Sequence, residues 1–213
     1  MKVTRLILLA TLALCVRAQQ QNPAALALHP DNPHYFLFRG KPAVLIGSTE
    51  HYGAVMNLDF DYLPYLDELG KNGLNLTRTF SGTYREIPAS FGITDNPLAP
   101  KAERYIGPWP RGDKGGAGDG LNKFDLTRFD DKYFDRLRDF VAQAGRHGVV
   151  VEYVLFCTFY NDALWDVNPM NPKNHDSNVG DVPRREVYTL KHPELLKIQD
   201  AFVKKAVTEL NAF

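Results

Sequence analysis

Residues 149–156 read Val-Val-Val-Glu-Tyr-Val-Leu-Phe, a β-branched and aromatic run that is almost wholly apolar. A strand reads this way when both of its faces are buried, as in a parallel sheet covered by helices. The run follows an amphipathic helical stretch through the short link Gly145-Arg-His-Gly148. About 35 residues rich in aromatics, Asn and Pro then separate it from the next helical stretch. A tight entry and a roomy exit mark a β/α unit whose functional surface lies at the strand's C-terminal end.

The rest of the chain repeats this plan. Residues 35–38, a turn at Arg39-Gly40 and residues 41–47 predict a hairpin that leads into an apolar strand at 43–46. Asp59 is a candidate N-cap, followed by Phe60, Leu63, Leu66 and Leu69 at helical spacing and by Gly70 and Gly73 as a stop. Pro64 requires that helix to start late or to kink. Residues 74–80 alternate as a second strand, and a long excursion over 81–129 follows. Asp130 caps a second helix striped by Phe134, Leu137, Val141 and Ala144, with Gly148 at its end. His192-Pro193 opens a third, with proline where a first turn tolerates it. Helix-to-strand links come to about four residues, against about ten, forty-nine and thirty-five for the strand-to-helix links. The fold class expected is α/β, three consecutive β/α units behind an N-terminal β-hairpin.

Lysine plus arginine and aspartate plus glutamate number 25 each, so the net charge is zero. No basic excess is available to neutralise a phosphate backbone, which argues against a nucleic-acid partner. Lys2 and Arg5, the apolar run 6–16 and small residues near 18 read as a signal peptide over 1–18. That implies a secreted or periplasmic protein with no membrane attachment after cleavage. Leu14 precedes Cys15 where a lipid-anchor signal would want a small residue. Residues 19–32 read as a flexible tail, and residues 33–213 as the folded body. Once Cys15 leaves, Cys157 remains without an intrachain partner.

The hairpin and first strand, residues 35–52, resemble the opening of the cellulase- and mannanase-like glycoside hydrolases of clan A, family 5 and its near relatives. So do residues 59–73, residues 74–80 (Leu-Asn-Leu-Thr-Arg-Thr-Phe) and the aromatic loop after 149–156. The resemblance covers about residues 28–213 and implies the first part of a TIM (β/α)8 barrel. It implies retaining hydrolysis of O-glycosyl bonds in a polysaccharide or oligosaccharide, with no cofactor. An arginine on that family's second strand supports the nucleophile, and Arg78 stands at the matching place. The family's acid/base lies in an Asn-Glu-Pro stretch after the fourth strand and its nucleophile on the seventh. This chain has no Asn-Glu-Pro, so the resemblance implies a barrel truncated before both, with no catalytic residue of its own. The alternative is a non-catalytic carbohydrate-binding or surface-interaction protein on a degenerate barrel.

Retaining hydrolysis needs two carboxyl groups about 5–5.5 Å apart. Glu50, Glu86 and Asp162 are the acids at predicted strand ends. Glu50, His51 and Tyr52, just past the first strand, are candidate substrate contacts, although each also reads as a loop-shaping residue. Arg78 reads either as a site residue or as half of an ion pair inside the barrel. Tyr84, Tyr160 and Trp165 are candidate sugar-stacking rings, with Trp109 and Tyr188 behind them; each can equally anchor its loop. His51, His175 and His192 lack metal-ligand spacing, so no metal is implied. The Gly-rich stretch 115–120 lacks the Lys-Ser/Thr ending of a phosphate loop and reads as a flexible loop. A barrel cut after its third strand leaves an apolar edge, which invites self-association.

Overall fold

The computed structural model describes residues 26–47 and 52–213. The expected signal peptide, Cys15, Glu50 and His51 lie outside them. The chain divides into two compact units, Met1–Val44 and Leu45–Phe213.

The first unit holds three short antiparallel strands in the order β1 (Leu26–Leu28), β2 (Phe36–Phe38) and β3 (Lys41–Ala43). The expected hairpin is β2–β3, with Phe36 opposite Ala43 and Phe38 opposite Lys41. Arg39 and Gly40 both take positive φ, 50° and 77°. A two-residue turn between right-twisted strands requires that of both central residues. β1 falls within the segment expected as a tail and pairs with β2. Its three residues are too few to show an alternation.

The second unit is mixed α/β. Its parallel sheet among the described residues consists of β4 (Leu76–Phe80) and β7 (Val150–Val154), paired in register from Leu76↔Val150 to Phe80↔Val154. A separate antiparallel hairpin joins β5 (Arg111–Gly115) to β6 (Asn122–Phe124). The helices are α1 (Tyr62–Lys71), α2 (Asp131–Arg146), the short α3 (Asp162–Asp166) and α4 (Pro193–Leu210).

The expected first strand at 43–46 does not form. Ala43 belongs to β3, Val44 and Ile46 are exposed, and Gly47 makes a single parallel bridge to Leu76. The Asn75 side chain accepts from the Ile46 amide at 2.7 Å, occupying the place of a ladder bond. No barrel closes: β4, β7 and the Gly47–Leu76 bridge are the whole of this sheet among the described residues, the other parallel bridge, Phe124–His175, lying outside it. Residues 149–156 shorten to β7, and no residue of β7 is buried, because its pairing is with β4 alone.

Helices cover one face of β4–β7. Thr77 and Thr79 are fully buried, and the Thr77 hydroxyl lies 2.7 Å from the hydroxyl of Tyr65 on α1. The Tyr153 hydroxyl meets that of Tyr133 on α2 at 2.6 Å. Leu76, Arg78 and Phe80 alternate onto the other face, where they remain half-exposed. α1 starts late, as Pro64 demands. Asp61 caps it by accepting from the Leu63 amide, and the proline falls in the first turn. Asp130 caps α2 in the same way, through the Lys132 amide.

Candidate functional site

Because β4 and β7 are parallel, their C-terminal ends share one pole, and the chain leaves both ends into long loops. After Phe80 the backbone stays buried through Glu86. The Ser81 and Thr83 hydroxyls both donate to the Leu155 carbonyl, at 2.6 and 2.7 Å, which ties the exit of β4 to the exit of β7. The Asn168 amide and the Tyr188 hydroxyl both donate to the Thr83 carbonyl. The Tyr52 carbonyl accepts from the Phe80 amide at 2.8 Å, so Tyr52 lies at this same pole.

Rings gather there. Tyr52 stacks on Phe80 at 5.1 Å between centroids, and Phe80 meets Tyr84 edge-on at 5.6 Å. Tyr84 reaches Phe159 at 6.1 Å and Tyr160 at 6.4 Å; Phe159 in turn touches Trp165 and Tyr188. Of the seven residues singled out in the sequence, Tyr52, Tyr84, Tyr160 and Trp165 are therefore linked by ring contacts. Arg78 joins them through Tyr52, and Glu50 and His51 lie outside the described residues.

Burial separates them. Tyr84 and Trp165 are buried, with their faces turned to protein, whereas Tyr160 is 65% exposed and Tyr52 is half-buried. Burial and the hydrogen bond from the Tyr84 hydroxyl to Glu86, 2.9 Å, push the Tyr84 pKa far up. The other Glu86 oxygen accepts from the Asn96 amide at 2.5 Å. Cys157 lies close enough to feel the Glu86 charge, and burial first and that charge second raise its thiol pKa. Asp162, the third acid considered, is exposed and paired with Arg184 at 2.8 Å.

Arg78 faces Glu152, its register partner on β7, at 2.9 Å. The Glu152 hydrogen bond, with help from Tyr52, raises its pKa further. The two side chains are 39% and 45% exposed, so solvent screens the pair. Glu152→Ala and Arg78→Ala are each expected to change unfolding free energy by less than about 1 kcal/mol, measured in urea. A loss several times larger would mean that the pair is dry.

Three features of this pole carry no local sequence signal. The first is a charge cluster in which Asp119 receives Arg85 at 2.6 Å and Arg111 at 2.5 Å. Arg85 also lies over the Tyr105 ring and Arg111 over Phe124, at 4.5 and 3.8 Å. Asp119 belongs to the glycine-rich stretch expected to be a flexible loop; it is instead the buried clasp of the β5–β6 hairpin. The second is the base of the loop spanning 86–98. There the Glu86 amide donates to the Leu98 carbonyl at 2.7 Å, and the Asn57 side chain donates to Pro97. Gly53 passes so near that a Cβ on it would lie 2.0 Å from the Pro97 carbonyl oxygen. The third is backbone strain at that loop's tip, where Ala89, Phe91 and Asp95 have φ of 62°, 57° and 51°. Each such residue costs of order 1–2 kcal/mol.

Among the described residues no three His, Cys, Asp or Glu side chains are grouped to hold a metal, and no helix is long and apolar enough to cross a membrane. No protein-family model and no curated protein match the sequence. Among solved structures, one from Bacteroides vulgatus ATCC 8482, described provisionally as a glycoside hydrolase, is similar with a TM-score of 0.46 at 17% identity. The likeness covers 65% of this chain and 25% of that one, so the chain spans about a quarter of that structure's length.

Proposed function

We propose that the chain is part of a carbohydrate-acting enzyme of glycoside hydrolase type, and that it forms one wall of a cleft for a polysaccharide or oligosaccharide outside the cytoplasm. The observation that carries this reading is the convergence of Tyr52, Arg78, Tyr84 and Tyr160 at the C-terminal pole of two parallel strands. Sites in α/β folds of this kind form at that pole.

In this reading β4 and β7 are adjacent strands of a TIM-type barrel, and their uncovered face, with Arg78 and Glu152, is barrel interior. Tyr52 and Tyr160 offer rings and hydroxyls to sugar, while Tyr84 and Trp165 hold the loops that carry them. Arg78, fixed by Glu152 and Tyr52, supports a carboxylate nucleophile. The two chemical carboxylates belong to a fourth and a seventh strand. Glu86, Glu152 and Asp162 are engaged with Tyr84 and Asn96, with Arg78 and with Arg184, none with a second carboxylate.

The test is saturation-transfer NMR of the chain with cellohexaose, xylohexaose and mannohexaose, followed in the same tubes for hydrolysis. Saturation transfer to at least one of them is expected. Binding without hydrolysis is the result this reading expects, since both chemical carboxylates lie on other strands, and hydrolysis by this chain alone would overturn that placement. If none of the three binds or is cleaved, the reading is wrong.

A further inference from the structure

Phe91 and Tyr160 lie about seventy positions apart in the chain, yet their ring centroids are 5.4 Å apart with planes at 83°. Both rings stand in solvent, 60% and 65% exposed. Neither position needs to be so. Phe91 sits on a left-handed backbone between Ala89 and Asp95, which are strained in the same sense, and its ring regains little burial in return. The loop that carries it is nonetheless firmly based. Glu86 and Leu98 close its neck, Asn96 locks onto Glu86, and Tyr84 holds Glu86 from below. At the tip the Gly92 and Ile93 amides donate to Ala89 and Ser90, both at 3.1 Å. Tyr160 is backed by Tyr84 at 6.4 Å. A rigid frame thus presents two nearly perpendicular rings to water at the pole where the candidate site lies.

We infer that Phe91 and Tyr160 form a corner that receives a single sugar ring, flat on one aromatic face and abutting the other. The inference rests on the proposed carbohydrate function and adds Phe91 as a specificity-determining contact of that site. Charge selects the occupant. Residues 86–99 contain no Lys or Arg, and residues 157–161 contain no charged side chain at all. The guanidinium that approaches from elsewhere, Arg184, is occupied by the Phe159 carbonyl and the Asp162 carboxylate, so the corner offers a phosphate little to neutralise it. A neutral ligand with one apolar face and a polar rim fits two apolar ring faces of which one, that of Tyr160, carries a hydroxyl at its edge. A pyranose with equatorial hydroxyls, whose C–H bonds form a flat face, is such a ligand, so gluco- and xylo-configured chains are the substrate class.

Cellohexaose and xylohexaose titrated by calorimetry into the wild-type chain, Phe91→Ala, Tyr160→Ala and Phe91→Tyr provide the test. Both alanine variants are expected to raise Kd about tenfold, and Phe91→Tyr to stay within about twofold of wild type. All three should keep the wild-type melting temperature, since the rings they alter are exposed. Wild-type affinity in Phe91→Ala overturns the corner while leaving the carbohydrate reading intact. No binding of either sugar by the wild type overturns the corner, and mannohexaose binding in that case would leave the carbohydrate reading standing. Sedimentation velocity on the same samples gives the remaining outcome: if Phe91→Ala dissociates an oligomer without changing sugar affinity, the corner is a protein contact and the inference fails.

Discussion

Asp119→Ala is expected to destabilise the chain by about 3–5 kcal/mol, the cost of breaking a buried ion pair by removing one partner. Side-chain exposure is 5% for Arg85 and 9% for Asp119, so little water is available to take over the lost contact. The substitution also leaves two guanidinium groups facing each other, since Arg111 binds the same carboxylate oxygen as Arg85. Arg85 additionally donates to the Val167 carbonyl and Arg111 to that of Asn122, so a displaced arginine disturbs the loops on both sides. Asp119→Asn should recover part of the loss, because an amide oxygen still accepts one hydrogen bond. Urea unfolding checks the magnitude. A loss below about 1 kcal/mol for Asp119→Ala would show that the cluster is wet and the hairpin held by something else.

The same cluster sets a pH dependence. Burial opposes ionisation of Asp119, but Arg111 and Arg85 outweigh it, and its pKa falls below the ordinary 3.8. A carboxyl depressed by folding stabilises fully above its unfolded pKa and loses that contribution as pH falls through the folded value. The wild-type chain should therefore lose stability below about pH 4. Asp119→Asn should make that acid limb shallower without altering the profile near neutrality, the remaining slope coming from other carboxyls held below their ordinary values, Asp125, Glu186 and Glu209.

What could be read from the sequence was what depends on neighbours a few residues away. Asp130, Pro64 and Pro193 announce helix starts because a cap or a first-turn proline acts on backbone within one turn. β4 was legible from its alternation, β7 from its apolar run, and their parallel pairing from the helix between them. The strand at 43–46 was not. Its residues are apolar enough, but strand formation needs one partner along its whole length, and here Ala43 pairs back with Phe36 while the bridge to Leu76 is made only at Gly47, just past the run. The site divides along the same line. Loop aromatics could be recognised by type, but whether a ring faces solvent, as in Tyr160, or protein, as in Trp165, depends on chain that folds over it from elsewhere. Arg85 and Asp119 meet across 34 positions and Phe91 meets Tyr160 across a longer span, so no window of sequence contains either pair.

Phe159→Ala is expected to cost about 3–5 kcal/mol, in the range for deleting a buried aromatic ring. Phe159 is 1% exposed and is the hub of the ring cluster, lying 5.1 Å from Trp165, 5.5 Å from Tyr188 and 6.1 Å from Tyr84. Loss of the ring removes its transfer free energy and leaves a cavity that these three cannot readily fill. Tyr84 is tied to Glu86, Tyr188 to the Thr83 carbonyl, and the Trp165 carbonyl to the Asn171 side chain. Because the neighbours are held by polar bonds, the site should relax little and the cost should fall in the upper part of the range. Phe159→Leu, which keeps most of the volume, should cost roughly half as much. Thermal unfolding followed by near-ultraviolet circular dichroism reads both the stability and the packing of the surrounding rings. The effect should extend to Tyr160, whose backbone adjoins the cavity, so sugar affinity should fall in Phe159→Ala even at temperatures where the chain remains folded. Full affinity in a folded Phe159→Ala chain would show that the exposed rings are positioned independently of the buried ones.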